Sequence, residues 1–242
     1  MIRARVWNEG WHEQHEAHVL ERYPEGIHGA VASAVNELLA DEVTVSVTTM
    51  DAPHQGLGGA DLDDTDVLLI WAHVRHDEVE HDTVQRVVDR VHEGMGLVVL
   101  HSAHHSRIFR ALMGTTCHLA WRHEGGRELV WTSQPNHPIA EGVPHPIEID
   151  GQEMYGEPFD IPTPDDVVFM SSFSGGEVFR SGVTFRRGAG RIFYFSPGDQ
   201  SYPVYRHPDV RRVLANAVRW CAPSLGVIPP RVTNPHPVRS GG

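Results

Sequence analysis

Short apolar runs alternate with amphipathic helical segments through the first half of the sequence, and this alternation constrains the fold most. Four runs rich in Val, Ile and Leu have the length of strands that are buried on both faces of a parallel sheet. They lie at residues 2–7, 43–50, 66–72 and 96–101. Between them, residues 28–42 and 82–96 place valines and leucines on one helical face. This order predicts an α/β fold with a doubly wound, mostly parallel sheet and helices on both of its faces.

The second half of the sequence has looser strand patterns and ends in one more helical pattern. Strands are predicted at 127–133, 146–150 and 166–173, a hairpin at 182–187 with 191–197, and a closing amphipathic helix at 207–222. We therefore expect a single domain over residues 1–222 that includes a late β-hairpin extension. Residues 223–242 are rich in Pro, Gly and polar side chains, which predicts a surface tail.

The charge of the chain excludes several classes of function. The formal net charge is −12, and no basic stripe is present that could neutralise phosphates or anionic lipids, so neither nucleic acid nor a membrane is expected as a partner. The sequence contains no lysine, which excludes Schiff-base chemistry on that side chain. The two cysteines are too few for a disulfide framework. No apolar run has the length of a signal core or of a membrane span. We therefore expect a cytoplasmic protein.

Polar side chains follow several of the predicted strands, at the point where each strand ends. The carboxyl ends of parallel strands meet at one edge of a sheet, so these side chains should converge. A single histidine there is more simply interpreted as structural, with its ring bonded to the backbone, but several strand ends together favour a functional site. The residues concerned are Trp7, Asn8, Glu9, Trp71, His73, His101, His104 and Asp199, with His28 just before the first long helix. We predict that His28, His73, His101 and His104 share one pocket.

Other candidates are weaker. Ser102 follows a strand as a nucleophile would, but Leu100 and His104 two positions away are not small, so we expect a blunter turn than in a serine hydrolase. Cys117 is interpreted as a small buried hydrophobe. Surface positions are the better interpretation for most of the remaining histidines: His12, His15, His18, His54, His81, His92, His118, His123 and His145. The segment 148–162, dense in Glu, Asp, Gly and Pro, predicts a loop that brings Glu153, Tyr155 and Glu157 over the crevice.

Many separate segments, in order, resemble one known family. They include "VWNE", "YPEGIHG", "WAHVRHDEV", "GMGLVVLHSAHHSRIFRALMGTTC", "EMYGEPFDIP" and "PDVRRVLANAVRW". Over residues 1–222 the chain is similar to the ThuA-like (trehalose utilisation) family. The resemblance implies a flavodoxin-like domain of the class I glutamine amidotransferase kind, in which the "LHSAHHS" turn replaces the cysteine elbow, so glutaminase activity is not expected. It also implies a role in the catabolism of trehalose-type disaccharides, beside an oxidoreductase that makes 3-keto sugars.

The resemblance carries over to individual positions. The family's "LHSGH" is matched by His101 and His104, its "GH" segment by His73 and His76, and its "EMYGE" segment by Glu153, Tyr155 and Glu157. One departure stands out, because the family's "PGHE" is here Pro197-Gly198-Asp199-Gln200. A role specific to imidazole would be lost at Asp199, although a carboxylate can still act as a base or bind a metal.

Two classes of function remain open from these residues. One is an enzyme of the hydrolase, lyase or isomerase type that acts on a keto-glycoside, with Glu153, His104, His101 and Asp199 as catalytic candidates. The other is a non-catalytic sugar-binding or regulatory subunit of the same pathway. The substrate-binding candidates are Trp7, Asn8, Glu9, Trp71, Tyr155, Glu157 and Tyr202.

The expected cofactor is a divalent metal, with zinc as the first candidate, bound by His28, His73 and His104. No nucleotide cofactor is expected. The expected partners are a small sugar, further copies of the chain, and a pathway oxidoreductase.

Overall fold

The computed structural model describes residues 1–223, which form one nine-stranded sheet with helices packed on both faces. The strands are β1 (Ile2–Asn8), β2 (Val43–Thr49), β3 (Val67–Trp71), β4 (Gly96–Leu100), β5 (Ala120–Thr132), β6 (Ile147–Gly156), β7 (Asp166–Phe173), β8 (Val178–Arg187) and β9 (Gly190–Phe195). The helices are α1 (Trp11–His15), α2 (Ala17–Arg22), α3 (Gly26–Leu39), α4 (Gly59–Asp63), α5 (His81–Glu93), α6 (Arg107–Met113) and α7 (Pro208–Cys221). The predicted tail lies outside the described residues except for its first residue.

The parallel strands separate two hydrophobic cores, as the sequence pattern predicts. Alternate residues of β3 face opposite sides, with Leu69 in the core under α3 and α7, and Leu68 in the core under α5 and α6. The valines of α5 form its buried face, and the helix ends at Gly94, whose φ of +127° is a conformation that L side chains rarely adopt. The helices therefore cover both faces of the parallel strands.

The sheet is mixed, which corrects the expectation of a mostly parallel sheet with one hairpin added. Five strands run parallel in the order β2-β1-β3-β4-β9, and β8, β7, β5 and β6 extend the sheet through antiparallel pairs. The predicted hairpin is β8–β9, and it joins the two halves. Pairing between strands far apart in sequence depends on packing, which local periodicity does not encode.

The predicted loop at 148–162 is wrong over its first half, because β6 extends to Gly156 and forms an edge of the sheet. Ile147 and Ile149 are buried while Glu148 and Asp150 are exposed, which is the alternation of a strand with one buried face. Glu148 and Asp150 thus belong to the exposed face of this strand, whereas Glu153 is buried. Among the described helices, none is long and apolar enough to cross a membrane.

Candidate functional site

A cavity of about 310 Å³ opens at the carboxyl edge of the parallel strands. This volume is near the lower end of the range for small-molecule sites. Five histidines line it: His73, His76, His104, His105 and His118. The other lining residues are Ser102, Leu119, Trp121, Glu153 and Tyr155. The parallel strands β3 and β4 therefore supply one side of the cavity, and the antiparallel strands β5 and β6 supply the other.

β4 ends in a sharp turn whose strained residue is His101. Its φ of +50° lies in the left-handed region, which is uncommon outside glycine and costs on the order of 1–3 kcal/mol. The expectation of a blunt turn around Ser102 is therefore wrong. His101 Nδ1 lies 2.9 Å from the carbonyl oxygen of Ser196, so it carries a proton and donates. This leaves Nε2 facing Glu153 Oε2 at 3.3 Å.

His73 follows β3 and is held in a similar way. Its Nδ1 lies 3.0 Å from Nε2 of His12, and Nδ1 of His12 lies 3.1 Å from the carboxylate of Glu16. The ring of His73 is parallel to that of His101, with centroids 5.9 Å apart. Ligand atoms of His73, His101 and Glu153 lie within 4.8 Å of one another. Three elements thus bring two imidazoles and a carboxylate together.

The charges in this group depend on one another. Burial disfavours the protonated form of His101, but the Glu153 and Asp199 carboxylates outweigh burial and raise its pKa. Burial likewise opposes ionisation of Glu153, yet His101 lowers its pKa. Burial, with repulsion from His101 and His12, lowers the pKa of His73 to about 3. The same group of side chains therefore raises the pKa of His101 and lowers that of His73.

Asp199 lies behind this group, in the loop after β9. Its Oδ1 accepts the backbone N–H of Ser201, while its buried Oδ2 has no hydrogen-bond partner among the described residues. Oδ2 lies 3.8 Å from His101 Nε2 and 3.7 Å from Nδ1 of His123, on β5. His123, Glu153 and Asp199 form a second group with ligand atoms within 4.8 Å. Two metal-capable groups therefore share Glu153.

His104 lies at the wall of the cavity and points a free nitrogen away from the backbone. Its Nδ1 is 2.7 Å from the carbonyl oxygen of Cys117 and donates to it, which leaves Nε2 without a proton when the ring is neutral. Tyr155 stacks on His101 and meets His104 edge-on, and its hydroxyl is 3.3 Å from Ser102 Oγ. No histidine lies within hydrogen-bonding distance of Ser102 Oγ in the described structure. Burial raises the pKa of Cys117 to about 11, so its thiol is not activated.

The structure does not bring Trp7 and Trp71 to the cavity. Both side chains are fully buried in the cores, so neither ring can stack on a sugar. The Nε1 of Trp7 donates to the Gln55 carbonyl oxygen, and that of Trp71 donates to the carbonyl oxygen of Gly198, beside Asp199. The expectation that they bind substrate is corrected, because packing turned both indoles inward.

Asn8, Glu9 and His28 are also placed away from the cavity lining. The Asn8 amide contacts His28 Nδ1 at 3.1 Å, and His28 does not belong to the metal-capable groups among residues 1–223. The Glu9 carboxylate accepts the backbone N–H groups of Val74 and Arg75, both at 2.9 Å. These residues support the strand ends. The predicted metal set of His28, His73 and His104 does not come together, and the metal-capable groups among residues 1–223 are the two described above.

Glu157 and Tyr202 lie outside the cavity lining as well. Glu157 forms an ion pair with Arg180 at 2.7 Å, just beyond β6. Tyr202 lines a separate cavity beside Gly125 and Gly151. Their predicted contacts with substrate therefore have no counterpart in the cavity of the five histidines.

Several site residues were missed. His12 is buried against His73 although its local sequence is polar. Trp121 and His123 belong to an arm of β5 that the sequence pattern did not reveal, and His118 lies just before that strand. The predicted strand began at residue 127, whereas β5 begins at Ala120. The signal that could have found His12 is its position four residues after β1, at the same edge as the other strand ends.

Comparisons with known proteins identify the family of the chain. The family model described as "ThuA: Trehalose utilisation" matches residues 3–221. The chain belongs to the ThuA family. No curated protein has a significant sequence match to the chain. ThuA membership supports a role in carbohydrate utilisation, as the sequence motifs implied.

Solved structures support the same fold. A protein of Bacteroides uniformis described as ThuA-like is 16% identical, with a TM-score of 0.64 and 91% of each chain covered. One of Parabacteroides merdae with the same description is 14% identical, with a TM-score of 0.66, covering 96% of this chain and 92% of that one. A cytoplasmic protein of Salmonella typhimurium is 12% identical, with a TM-score of 0.58, covering 92% of this chain and all of its own. These neighbours support an α/β fold with a large sheet for the chain.

Proposed function

We propose that this ThuA family member is an enzyme that transfers protons beside the carbonyl group of a keto-glycoside, with a divalent metal bound by His73, His101 and Glu153. The observation that carries the proposal is the convergence of these three side chains from three elements. His73 and Glu153 line the cavity together with His104 and Tyr155, and His101 is buried behind them. Packing alone would place apolar groups at such strand ends. The match to a family described as trehalose utilisation supports a sugar as the substrate.

The donor set fits a metal ion. Nδ1 of His101 and Nδ1 of His73 are both engaged by the protein, which leaves the two Nε2 atoms for a ligand role, as in sites where outer hydrogen bonds fix the tautomer of a metal-binding histidine. Two imidazoles and one carboxylate are a donor set of catalytic zinc sites. The unpartnered Oδ2 of Asp199 adds negative charge nearby. When bound, the ion would polarise a sugar carbonyl.

His104 is the proposed base. Because its Nδ1–H is held by Cys117, the Nε2 lone pair can take a proton from the carbon next to the ketone. The electron pair then moves onto the ketone oxygen, to which the Tyr155 hydroxyl can donate. In a 3-keto glycoside that carbon is C2. Either the returning pair forms a C1–C2 double bond and expels the glycosidic oxygen from C1, which takes the proton from His104 and leaves as an alcohol, or carbon takes the proton back. The first path is a lyase reaction and the second an isomerisation.

The proposal also covers the source of the substrate, the cellular location and the fold relationship of the parallel half. An oxidoreductase that makes the ketone would supply the substrate. We propose a cytoplasmic location, as the Salmonella neighbour's description has it. We also propose that the parallel half is flavodoxin-like and related to amidotransferases, because its order β2-β1-β3-β4-β9 corresponds to the flavodoxin order 2-1-3-4-5.

The roles of Glu153 and His104 can be separated by experiment. Zinc-loaded protein is incubated with methyl 3-keto-α-glucopyranoside and 3-keto-trehalose, and the products are followed by NMR. We expect His104→Gln to lower kcat by about 10²- to 10⁴-fold with zinc content unchanged, because only the proton acceptor is lost. Glu153→Gln should lose zinc and turnover together. His92→Gln, at an exposed position on α5, is the control.

Two results would contradict the proposal. A kcat in His104→Gln equal to that of the parent would show that His104 is not the base. Sugar binding without turnover by the zinc-loaded parent would instead indicate a binding or regulatory subunit.

A further inference from the structure

Trp121 is the most exposed of the large hydrophobic side chains within residues 2–223, with 65% of its surface accessible. It also lines the cavity of the five histidines, together with Leu119. An indole group left open to water lacks the favourable free energy that burial of its large apolar surface would give. Neither the proton chemistry nor the metal site proposed above uses Trp121.

The strand register fixes which way Trp121 points. Trp121 lies directly opposite Tyr155 in the antiparallel β5–β6 ladder. Opposite residues of such a pair project from the same face, with Cβ atoms about 5 Å apart. Tyr155 packs on His101 from that face, so Trp121 projects toward the same site.

This end of β5 has a strand on one side only in the described structure. β7 pairs with β5 from Glu128 onward, while residues 120–122 pair with β6 alone. The ladder is irregular between Arg122 and Glu128, so the arm that carries Trp121 departs from the regular sheet. Leu119 and Trp121 therefore form an apolar wall opposite the histidines.

We propose that Trp121 is the stacking wall for the pyranose ring of a glucoside and makes the site favour a closed sugar ring over an open-chain polyol. In such a sugar the hydroxyl groups are equatorial, so both ring faces present axial C–H bonds that pack on an indole, while the ring edge offers hydroxyls to polar partners. The cavity supplies both. The imidazoles of His76, His105 and His118 lie along it, and His76 Nδ1 and His105 Nε2 are buried without a hydrogen-bond partner among the described residues. This inference rests on the proposed function, which names a sugar as the substrate.

The test is binding of α,α-trehalose, methyl α-D-glucopyranoside and sorbitol to the zinc-loaded protein, measured by saturation-transfer NMR and calorimetry. Trp121→Ala should raise Kd for both glycosides by about tenfold, the scale of one aromatic contact. Trp121→Phe should restore most of the affinity. Trp131→Ala is the matched control, because Trp131 also lies on β5, is 39% exposed and donates to Ser172 outside this cavity. Zinc content should not change in any of these variants.

The outcomes separate this inference from the proposed function. If the parent binds the glycosides and Trp121→Ala binds them equally well, the stacking role is wrong while the sugar site stands. If Trp121→Ala changes only the oligomeric state, a second copy of the chain covers the indole and the inference is again wrong. If the parent binds sorbitol as tightly as methyl glucoside, the ring selectivity fails. If the parent binds no glycoside, the proposed function fails with it.

Discussion

Glu128 is a carboxyl group enclosed within the antiparallel half of the sheet. Its side chain is fully buried, Ser171 Oγ donates to Oε1 at 2.5 Å, and Oε2 has no hydrogen-bond partner in the described residues. Burial raises its pKa from 4.5 to about 7, against the opposing influence of the Ser171 hydrogen bond and the charge of His101. The acid is therefore held largely neutral at mildly acidic pH.

We predict that Glu128→Gln gains stability over the parent as the pH rises. Because the folded pKa is raised, the parent is most stable below pH 4.5 with respect to this group, and it loses stability as the pH rises from there through about 7. The difference between variant and parent in free energy of unfolding should grow by about 3 kcal/mol between pH 4.5 and 8. Urea unfolding at each pH measures these free energies, and Glu148→Gln, at an exposed position, is the control. If the difference in free energy of unfolding between Glu128→Gln and the parent does not change with pH, Glu128 ionises freely and the prediction is wrong.

Single residues show where prediction from sequence succeeds. The strand-end rule found His73, His101 and His104 because a residue just past a parallel strand must lie at the carboxyl edge. The rule did not show that the indoles of Trp7 and Trp71 turn into the core and away from the cavity. The direction of a side chain at a strand end depends on the packing around it. Glu153 and Tyr155 were predicted at the site through the family resemblance, although the segment that carries them was assigned to a loop.

Among the elements, the loop after β3 depends on one buried carboxylate. Glu9 follows β1 and accepts two backbone N–H groups, from Val74 and Arg75, directly after His73. Such charge-assisted hydrogen bonds are roughly twice as strong as neutral ones. The end of β1 therefore sets the position of a histidine at the end of β3.

We predict that Glu9→Gln weakens zinc binding without removing a ligand. The glutamine NH₂ group opposes one of the two N–H donors, which leaves that donor unpaired and loosens the loop that carries His73. Zinc affinity should fall by about tenfold, the lower end of the effect of supporting residues at metal sites. Competition with a chromophoric chelator measures the affinity. Glu78→Gln, an exposed partner of Arg75, is the control, and equal affinities in the two variants would contradict this role.

The elements were predicted unevenly, for a physical reason. The parallel strands follow from their short apolar runs, and α3, α5 and α7 follow from the helical period of their apolar residues, because each helix buries one stripe. The arm of β5 at residues 120–126 is exposed or half-buried and has no apolar alternation, so its pairing with β6 is visible only in three dimensions.

For the molecule as a whole, the mixed sheet brings two halves to one site. The parallel half delivers His73, His101 and His104 from the ends of β3 and β4, and the antiparallel half delivers Glu153 and Trp121 from β6 and β5. The sequence predicted the first half because βαβ units have a fixed hand and a common edge. It could not predict that the late strands fold back over that edge, which long-range packing decides.

Zinc binding is the measurement that decides whether these two halves build one centre. Equilibrium dialysis of the metal-free protein against Zn²⁺, read by elemental analysis, should give one tightly bound ion per chain. His73→Gln should weaken zinc binding by about 100-fold or more, since one of three donors is lost. His28→Gln should bind zinc as the parent does, because the His28 imidazole contacts Asn8 and does not belong to the centre. A parent that binds no zinc, or a His73→Gln variant that binds it as tightly as the parent, would contradict a metal centre at His73, His101 and Glu153.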